Sequence, residues 1–194
     1  MGNFHGTLVL KPFEPPETVA LRSFAAALAL RDAFVQLTNL PQGFALKWPN
    51  DVLCNGGKIA GILLESQGLN GSDPTLCIGI GVNLIAAPDA SQVEPGAVPP
   101  VSLLQETGLK ITPQTFLDAL APAYAAWEAT FTTEGFAPLR TAWLSHAARL
   151  GQPIRARTGT ETREGTFETI DATGNLILRT QAGTLAIPAA EVFF

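Results

Sequence analysis

The sequence predicts an α+β fold, a β-sheet packed with helices and followed by a small antiparallel β-barrel. Three observations lead there. Strand-like runs alternate with long Ala- and Leu-rich stretches of helical pattern up to about residue 149. Ala45–Glu65 reads as two strands joined by a tight turn. From Thr158 onward, turn dipeptides punctuate short β-branched runs at spacings of 6 to 9 residues. The expected division is residues 1–149 for the first unit and 150–194 for the barrel.

Taken in order, Phe4–Lys11 alternates as a strand that Pro12 ends, and Glu14–Glu17 is a loop. Thr18 is a candidate N-cap for a helix to Leu37 that is apolar on every side, the pattern of a helix buried against a sheet. In Ala45–Glu65, Asn55-Gly56 lies between apolar runs, and a two-residue primed turn needs positive φ at both positions. Pro49 biases Trp48 toward extended backbone and Asn50-Asp51 favour a bend, so the first strand is interrupted there. Lys58 is expected to share a face with Ala60, Ile62 and Leu64.

After a loop at Gln67–Pro74, Thr75–Ile85 reads as a strand. Ile78, Ile80, Val82 and Leu84 point one way, and Gly79, Gly81 and Asn83 the other. Two glycines on one face leave a bare floor, which suits either a ligand bed within reach of Asn83 or a bulge or closely packed helix. A Pro-rich loop, Ala86–Val101, leads to helices at Ser102–Glu106, Pro113 to about Thr130 (capped by Thr112) and Phe136–Ala148. Trp127, Phe131, Phe136 and Trp143 read as packing residues. Thr158-Gly159, Glu164-Gly165, Gly174-Asn175 and Ala182-Gly183 are the turn signals of the barrel.

Composition narrows the function. With 194 residues, 46% of them hydrophobic, the chain can bury a sizeable core. No run reaches the roughly 18 apolar residues of a membrane span, and no secretory signal opens it, so a cytoplasmic location without membrane association is expected. The net charge is −5 and basic residues do not cluster, which argues against a nucleic-acid partner. The two cysteines, Cys54 and Cys77, sit in strands and read as buried thiols. His5 and His146 are too isolated for a metal site or a nucleophile triad.

The chemistry concentrates around the hairpin. Lys47 and Lys58 stand on either side of it and could converge on one anion. A half-buried ammonium needs an anionic partner, for which a phosphate or carboxylate would serve. Asp51 could pair with a lysine, help hold Mg²⁺, or simply form the turn. No phosphate-binding glycine loop of the P-loop or dinucleotide type is present.

Lys47-Trp-Pro-Asn-Asp51, Gly57-Lys-Ile-Ala-Gly-Ile-Leu-Leu-Glu65 and Gly79-Ile-Gly-Val-Asn83 together resemble three consecutive motifs of the biotin protein ligases. Gly135-Phe-Ala-Pro138 followed by Trp143, and Asp171-Ala-Thr-Gly174 in the tail, are similar to the family's later regions, so the resemblance covers essentially the whole chain. It implies a mixed sheet with helices and an SH3-like barrel. It also implies a reaction: biotin and ATP give biotinyl-5′-adenylate, and the biotinyl group passes to a lysine on the biotin carrier domain of a carboxylase. Lys58 would contact biotin and the acyl-phosphate region, and Lys47 the nucleotide phosphates. Asn50 and Asp51 would line the nucleotide and Mg²⁺ side, with Asp51 as the metal ligand. Gly61, Gly79, Gly81 and Asn83 would complete the adenylate site. Such chemistry needs positioning and cations aimed at the transferring phosphorus, with no covalent nucleophile. A homodimer is compatible with it.

The resemblance also implies that a strand, a helix and a Gly/Arg-rich loop ending in an aromatic precede Phe4 in the family. Gly2-Asn3 stands as the tail of that region and Met1 where the loop would be, so an N-terminally incomplete catalytic domain is expected. The family's optional DNA-binding helix-turn-helix has no counterpart here. Two other readings stay open: a catalytically incomplete remnant that binds nucleotide or docks a carrier protein, and a lipoate-attaching relative.

Overall fold

The computed structural model describes residues 2–68, 73–89, 91, 93–159 and 161–194. The order is β1 (Phe4–Leu10), α1 (Pro16–Ala20), α2 (Arg22–Thr38), β2 (Phe44–Lys47), β3 (Asp51–Cys54), β4 (Gly57–Gln67), β5 (Thr75–Val82), α3 (Leu103–Thr107), α4 (Pro113–Glu134) and α5 (Phe136–Ser145). Then come β6 (Pro153–Thr158), β7 (Glu161–Ile170), β8 (Leu176–Thr180), β9 (Gly183–Ile187) and β10 (Glu191–Phe193). Parts of the loops read at 67–74 and 86–101, and Met1, lie outside the described residues.

Strands β1–β5 form one sheet in the order β1-β5-β4-β3-β2. All its ladders are antiparallel: short connections join β2 to β3, β3 to β4 and β4 to β5, while β1, the first strand, pairs with β5, the last of the five. Among the described residues, parallel pairing is limited to isolated bridges at Leu46–Ala147 and Lys58–Pro100. The mixed strand directions implied by the resemblance reduce to those two contacts.

One face of this sheet carries Leu76, Ile78, Ile80 and Val82 into the core under α2, α4 and α5. Helix α2 is the buried centre, as its all-round apolarity predicts, and its Phe24 meets Phe136 and Trp143 edge-on at ring-centroid distances of 5.0 and 5.6 Å. Of its two buried cations, Arg22 and Arg31, Arg22 is held by Glu14 and Glu128 and lies over the Phe131 ring. Thr18 does not cap this helix. The helical backbone starts earlier, at Pro16, whose fixed φ suits the first turn, and it is re-initiated after Leu21. Thr112 does cap α4, accepting from the Thr115 N–H at 3.1 Å, and Ser102 caps α3 in the same way.

Cys54 is fully buried, and burial together with the nearby Glu106 pushes its thiol up to about 11, so it is an inert packing group at neutral pH. Cys77 is only partly buried, because it lies on the open face of β5.

The second sheet, β10-β6-β7-β8-β9, is wholly antiparallel and wraps a small core of Ile154, Ala156, Phe167, Ile170, Leu176, Leu178 and Val192. Glu164-Gly165 is not a turn. It lies inside β7, where a Cβ on Gly165 would come within 2.6 Å of the Arg179 carbonyl oxygen, so glycine permits close backbone approach.

This unit docks through the turn at Gly174, whose carbonyl accepts from the Trp48 indole N–H at 3.0 Å while its Cα faces Leu21 and Phe24. Trp48→Phe keeps most of the buried ring but removes the donor. A stability loss of about 1 kcal/mol is expected in denaturant titration, and an unchanged midpoint would mean that docking does not depend on this bond. Among the described residues, no helix is long and apolar enough to cross a membrane.

Candidate functional site

The face of the first sheet turned away from the helices is open, and the site is built there by cross-strand register. His5 pairs with Gly81, Gly81 with Gly61, Gly61 with Asp51, and Asp51 with Lys47. A single row therefore crosses all five strands: imidazole, two bare positions, carboxylate, ammonium. The adjacent row runs Thr7, Gly79, Leu63. The glycines form the floor of a cleft of about 560 Å³ walled by His5 and Thr7 on one side and by Asn50, Asp51 and Lys58 on the other.

The floor has no packing explanation. A Cβ on Gly61, Gly79 or Gly81 would meet no heavy atom closer than 3.5 Å outside its own chain neighbours, and none of the three has a positive φ. Neither helix packing nor backbone conformation demands glycine at these positions, and the face above them is open. By contrast, Gly57 is sterically obligatory, since a Cβ there would lie 2.3 Å from Val101 Cγ1.

Lys58 reaches this floor through a local irregularity. The β3–β4 register shifts between Val52 and Leu53, so that Leu53 faces Lys58 while Val52 faces Ala60, and Ile59 is the extra residue. Ile59 and Ala60 are both buried, and alternation resumes one residue out of phase. Lys58 consequently shares its face with Gly61 and Leu63, not with Ala60, Ile62 and Leu64. The hairpin turn itself is as expected, with φ +49° at Asn55 and +87° at Gly56.

Asp51 organises the cations. One carboxylate oxygen lies 2.6 Å from Lys58 Nζ and the other 3.2 Å from Lys47 Nζ. The Lys58 side chain is 43% exposed, whereas those of Lys47 and Asp51 are each 8% exposed. Two ammonium groups on one carboxylate leave a net positive charge, and the part of it open to solvent is Lys58, over the glycine floor. Lys47 does not line the cleft and acts on it through Asp51.

Asn50 is part of the wall but its amide is engaged. Its Nδ2 donates to the Ile62 carbonyl at 2.7 Å, while the Ile62 N–H donates to the Asn50 carbonyl at 2.9 Å, locking the turn after the cis Trp48–Pro49 bond onto β4.

Asn83 does not reach the floor. The ladder of β5 ends at Val82, and Asn83 instead donates to the Val101 carbonyl at 3.1 Å. That returning segment in turn holds the Lys58 backbone on both sides, with Lys58 N–H to Pro99 O and Val101 N–H to Lys58 O, each 2.9 Å. Asn83 therefore supports Lys58 from behind.

The fit to Mg²⁺ is poor. Both Asp51 oxygens face ammonium groups, and among the described residues no group of three or more His, Cys, Asp or Glu side chains could hold a metal. His5, like Thr7, is a cleft residue that sequence reasoning missed. Its position matters only through pairing with a strand more than seventy residues away, and no local pattern carries that information.

A cation above a bare, partly apolar floor can hold an extended ligand with an anionic centre. Known proteins share the whole arrangement of the chain. The model of the biotin/lipoate A/B protein ligase family matches residues 3–145, and that of the biotin protein ligase C terminal domain matches residues 150–194. A biotin–[acetyl-CoA-carboxylase] ligase of Paracoccus denitrificans is 58% identical over 193 residues, covering 100% of this chain and 80% of the relative. The bifunctional ligase/repressor BirA of Bacillus subtilis is 31% identical over 186 residues, and there the match covers 96% of this chain and 56% of the relative. The crystal structure of biotin protein ligase from Aquifex aeolicus superposes with a TM-score of 0.85 at 21% identity, over 98% of this chain and 82% of that one. The same ligase in complex with biotin and ATP gives 0.80 at 22% identity, over 98% and 77% of the two chains.

Proposed function

The chain belongs to the biotin/lipoate A/B protein ligase family, and from that premise we propose that it attaches biotin to a lysine of a carboxylase's biotin carrier domain at the expense of ATP. Residues 1–149 would form the catalytic unit and 150–194 the SH3-like unit docked on it. The observation that carries the reading is the half-exposed Lys58 ammonium, fixed by Asp51 above the Gly61–Gly81 floor.

The biotin carboxylate attacks the α-phosphorus of ATP, pyrophosphate leaves, and the mixed anhydride remains as biotinyl-5′-adenylate. Lys58 stabilises charge on the phosphoryl oxygens as the bond forms. Asp51, with Lys47 behind it, holds that ammonium in place before any substrate arrives, which is the preorganisation that makes such a cation effective. Gly61, Gly79 and Gly81 let the ligand lie against backbone, and Leu63, 60% exposed at the floor's edge, offers apolar contact. Asn50 and Asn83 fix the turn and the returning segment that frame Lys58. In the second half-reaction the carrier lysine attacks the acyl carbon and AMP leaves. Asp51, with both carboxylate oxygens on ammonium groups, has no oxygen left over for Mg²⁺ in this arrangement.

The test is incubation of the chain with ATP, Mg²⁺, biotin and an apo carrier domain, followed by detection of biotin on the carrier lysine. Biotin-dependent labelling is expected. No labelling and no pyrophosphate release would leave the remnant reading in its place, and labelling by lipoate in preference to biotin would reassign the substrate.

Gly81→Val supplies a check on the floor. Its Cβ finds only ordinary contact with His5 at 3.7 Å, and valine suits a strand, so the melting midpoint should be kept. Binding of biotinyl-5′-adenylate by calorimetry should weaken about ten-fold or more. Unchanged affinity would place the ligand elsewhere.

A further inference from the structure

We propose that His5 is a ligand-contacting residue whose imidazole closes the β1 side of the cleft and hydrogen-bonds the acyl-adenylate from the side opposite Lys58. The inference rests on the ligase reading above and adds to it a residue on the opposite wall.

The register carries it. His5 lies in the same cross-strand row as Gly81, Gly61 and Asp51. Adjacent strands are roughly 4.8 Å apart, so about 14 Å of sheet separates the backbones of His5 and Asp51, with two bare positions between them. That span suits an extended ligand lying across the strands and is far too wide for a single ion.

The imidazole leans over the floor: its Nδ1 lies 3.7 Å from where a Gly81 side chain would begin. His5 is exposed, and among the described residues no group hydrogen-bonds its ring. On the opposite wall one Asn50 amide N–H is on the Ile62 carbonyl and both Asp51 oxygens are on lysines. Lys58 is the cation on that side that faces the cleft, and its ammonium keeps donors beyond its bond to Asp51. A ligand oxygen held by Lys58 over Gly61 therefore has its second polar contact one strand beyond Gly81. There the ring can donate through one nitrogen and accept through the other. Thr7 shares this wall but has the shorter side chain.

The experiment loads the protein with biotinyl-5′-adenylate and follows its release by chasing with excess unlabelled ligand. His5→Ala and His5→Phe are both expected to release it about three- to ten-fold faster than wild type. Phenylalanine keeps the ring area and loses both nitrogens, so it separates hydrogen bonding from packing. His5→Gln, which keeps a donor and an acceptor, should release more slowly than His5→Ala. Because the site is exposed, all three should keep the wild-type melting midpoint. Release from His5→Ala at the wild-type rate, or wild-type retention by His5→Phe, overturns the assignment while leaving the ligase reading intact. Failure of the wild-type chain itself to retain the adenylate takes down both.

Discussion

Lys58→Ala is expected to lower biotinyl-adenylate formation by about 10²–10³-fold while leaving the protein folded, because it removes one preorganised charge contact to the transferring phosphoryl group. The two halves of that expectation rest on different observations. The side chain is 43% exposed, so its removal opens no buried cavity. Asp51 loses one partner but keeps the Lys47 ammonium at 3.2 Å, so no buried carboxylate is left alone. The fold therefore tolerates the change, within roughly 1 kcal/mol in denaturant titration. The backbone of Lys58 is untouched as well, since its N–H and carbonyl bonds to Pro99 and Val101 do not involve the side chain. Activity has no such reserve, because Lys47 is buried and cannot swing into the cleft without abandoning Asp51. Pyrophosphate release at the wild-type rate from a folded Lys58→Ala protein would remove Lys58 from the mechanism. Lys58→Arg keeps the charge but spreads it over a planar fork on a longer stem, so partial activity is expected.

What the sequence made legible follows from how local each determinant is. The Asn55-Gly56 turn and the Thr112-Pro113 helix start could be read because positive φ and capping geometry restrict residue type at single positions. The three motif blocks single out Lys47, Asp51, Lys58 and the floor glycines because each block is contiguous in sequence. The bulge at Ile59 was not legible. Ile59, Ala60 and Ile62 are all apolar, so the pattern fits either phase, and unbroken alternation puts Lys58 on the wrong face. Unbroken alternation likewise carries Asn83 onto the floor, whereas the ladder of β5 ends at Val82. Gly165 looked like a turn because a glycine needed for close strand contact is indistinguishable in sequence from one needed for positive φ. His5 escaped altogether, since strand register across the sheet is a property of the packed fold.

Asp51→Ala is expected to cost the most stability of any substitution in the site, about 3–5 kcal/mol, and to abolish activity with it. The carboxylate itself is not the source of the loss, since desolvating it and two ammonium groups offsets much of their attraction. What the substitution leaves behind decides the magnitude: Lys47, 7% exposed, would hold an ammonium with no acceptor to replace the Asp51 oxygen it now faces. Lys47→Met with Asp51 intact should be far milder, because Asp51 still pairs with Lys58 at 2.6 Å. The double variant Lys47→Met with Asp51→Leu replaces the buried pair by apolar groups of similar size, and most of the stability should return. Adenylate formation should not return with it, since Lys58 then has no anchor and its ammonium is free to leave the floor. If the double variant regained activity along with stability, Asp51 would be a folding residue only, and the aim of Lys58 would have to come from its backbone contacts. If Asp51→Ala melted like wild type, the buried charge relay would not exist in solution, and the positioning role of Lys47 would fall with it.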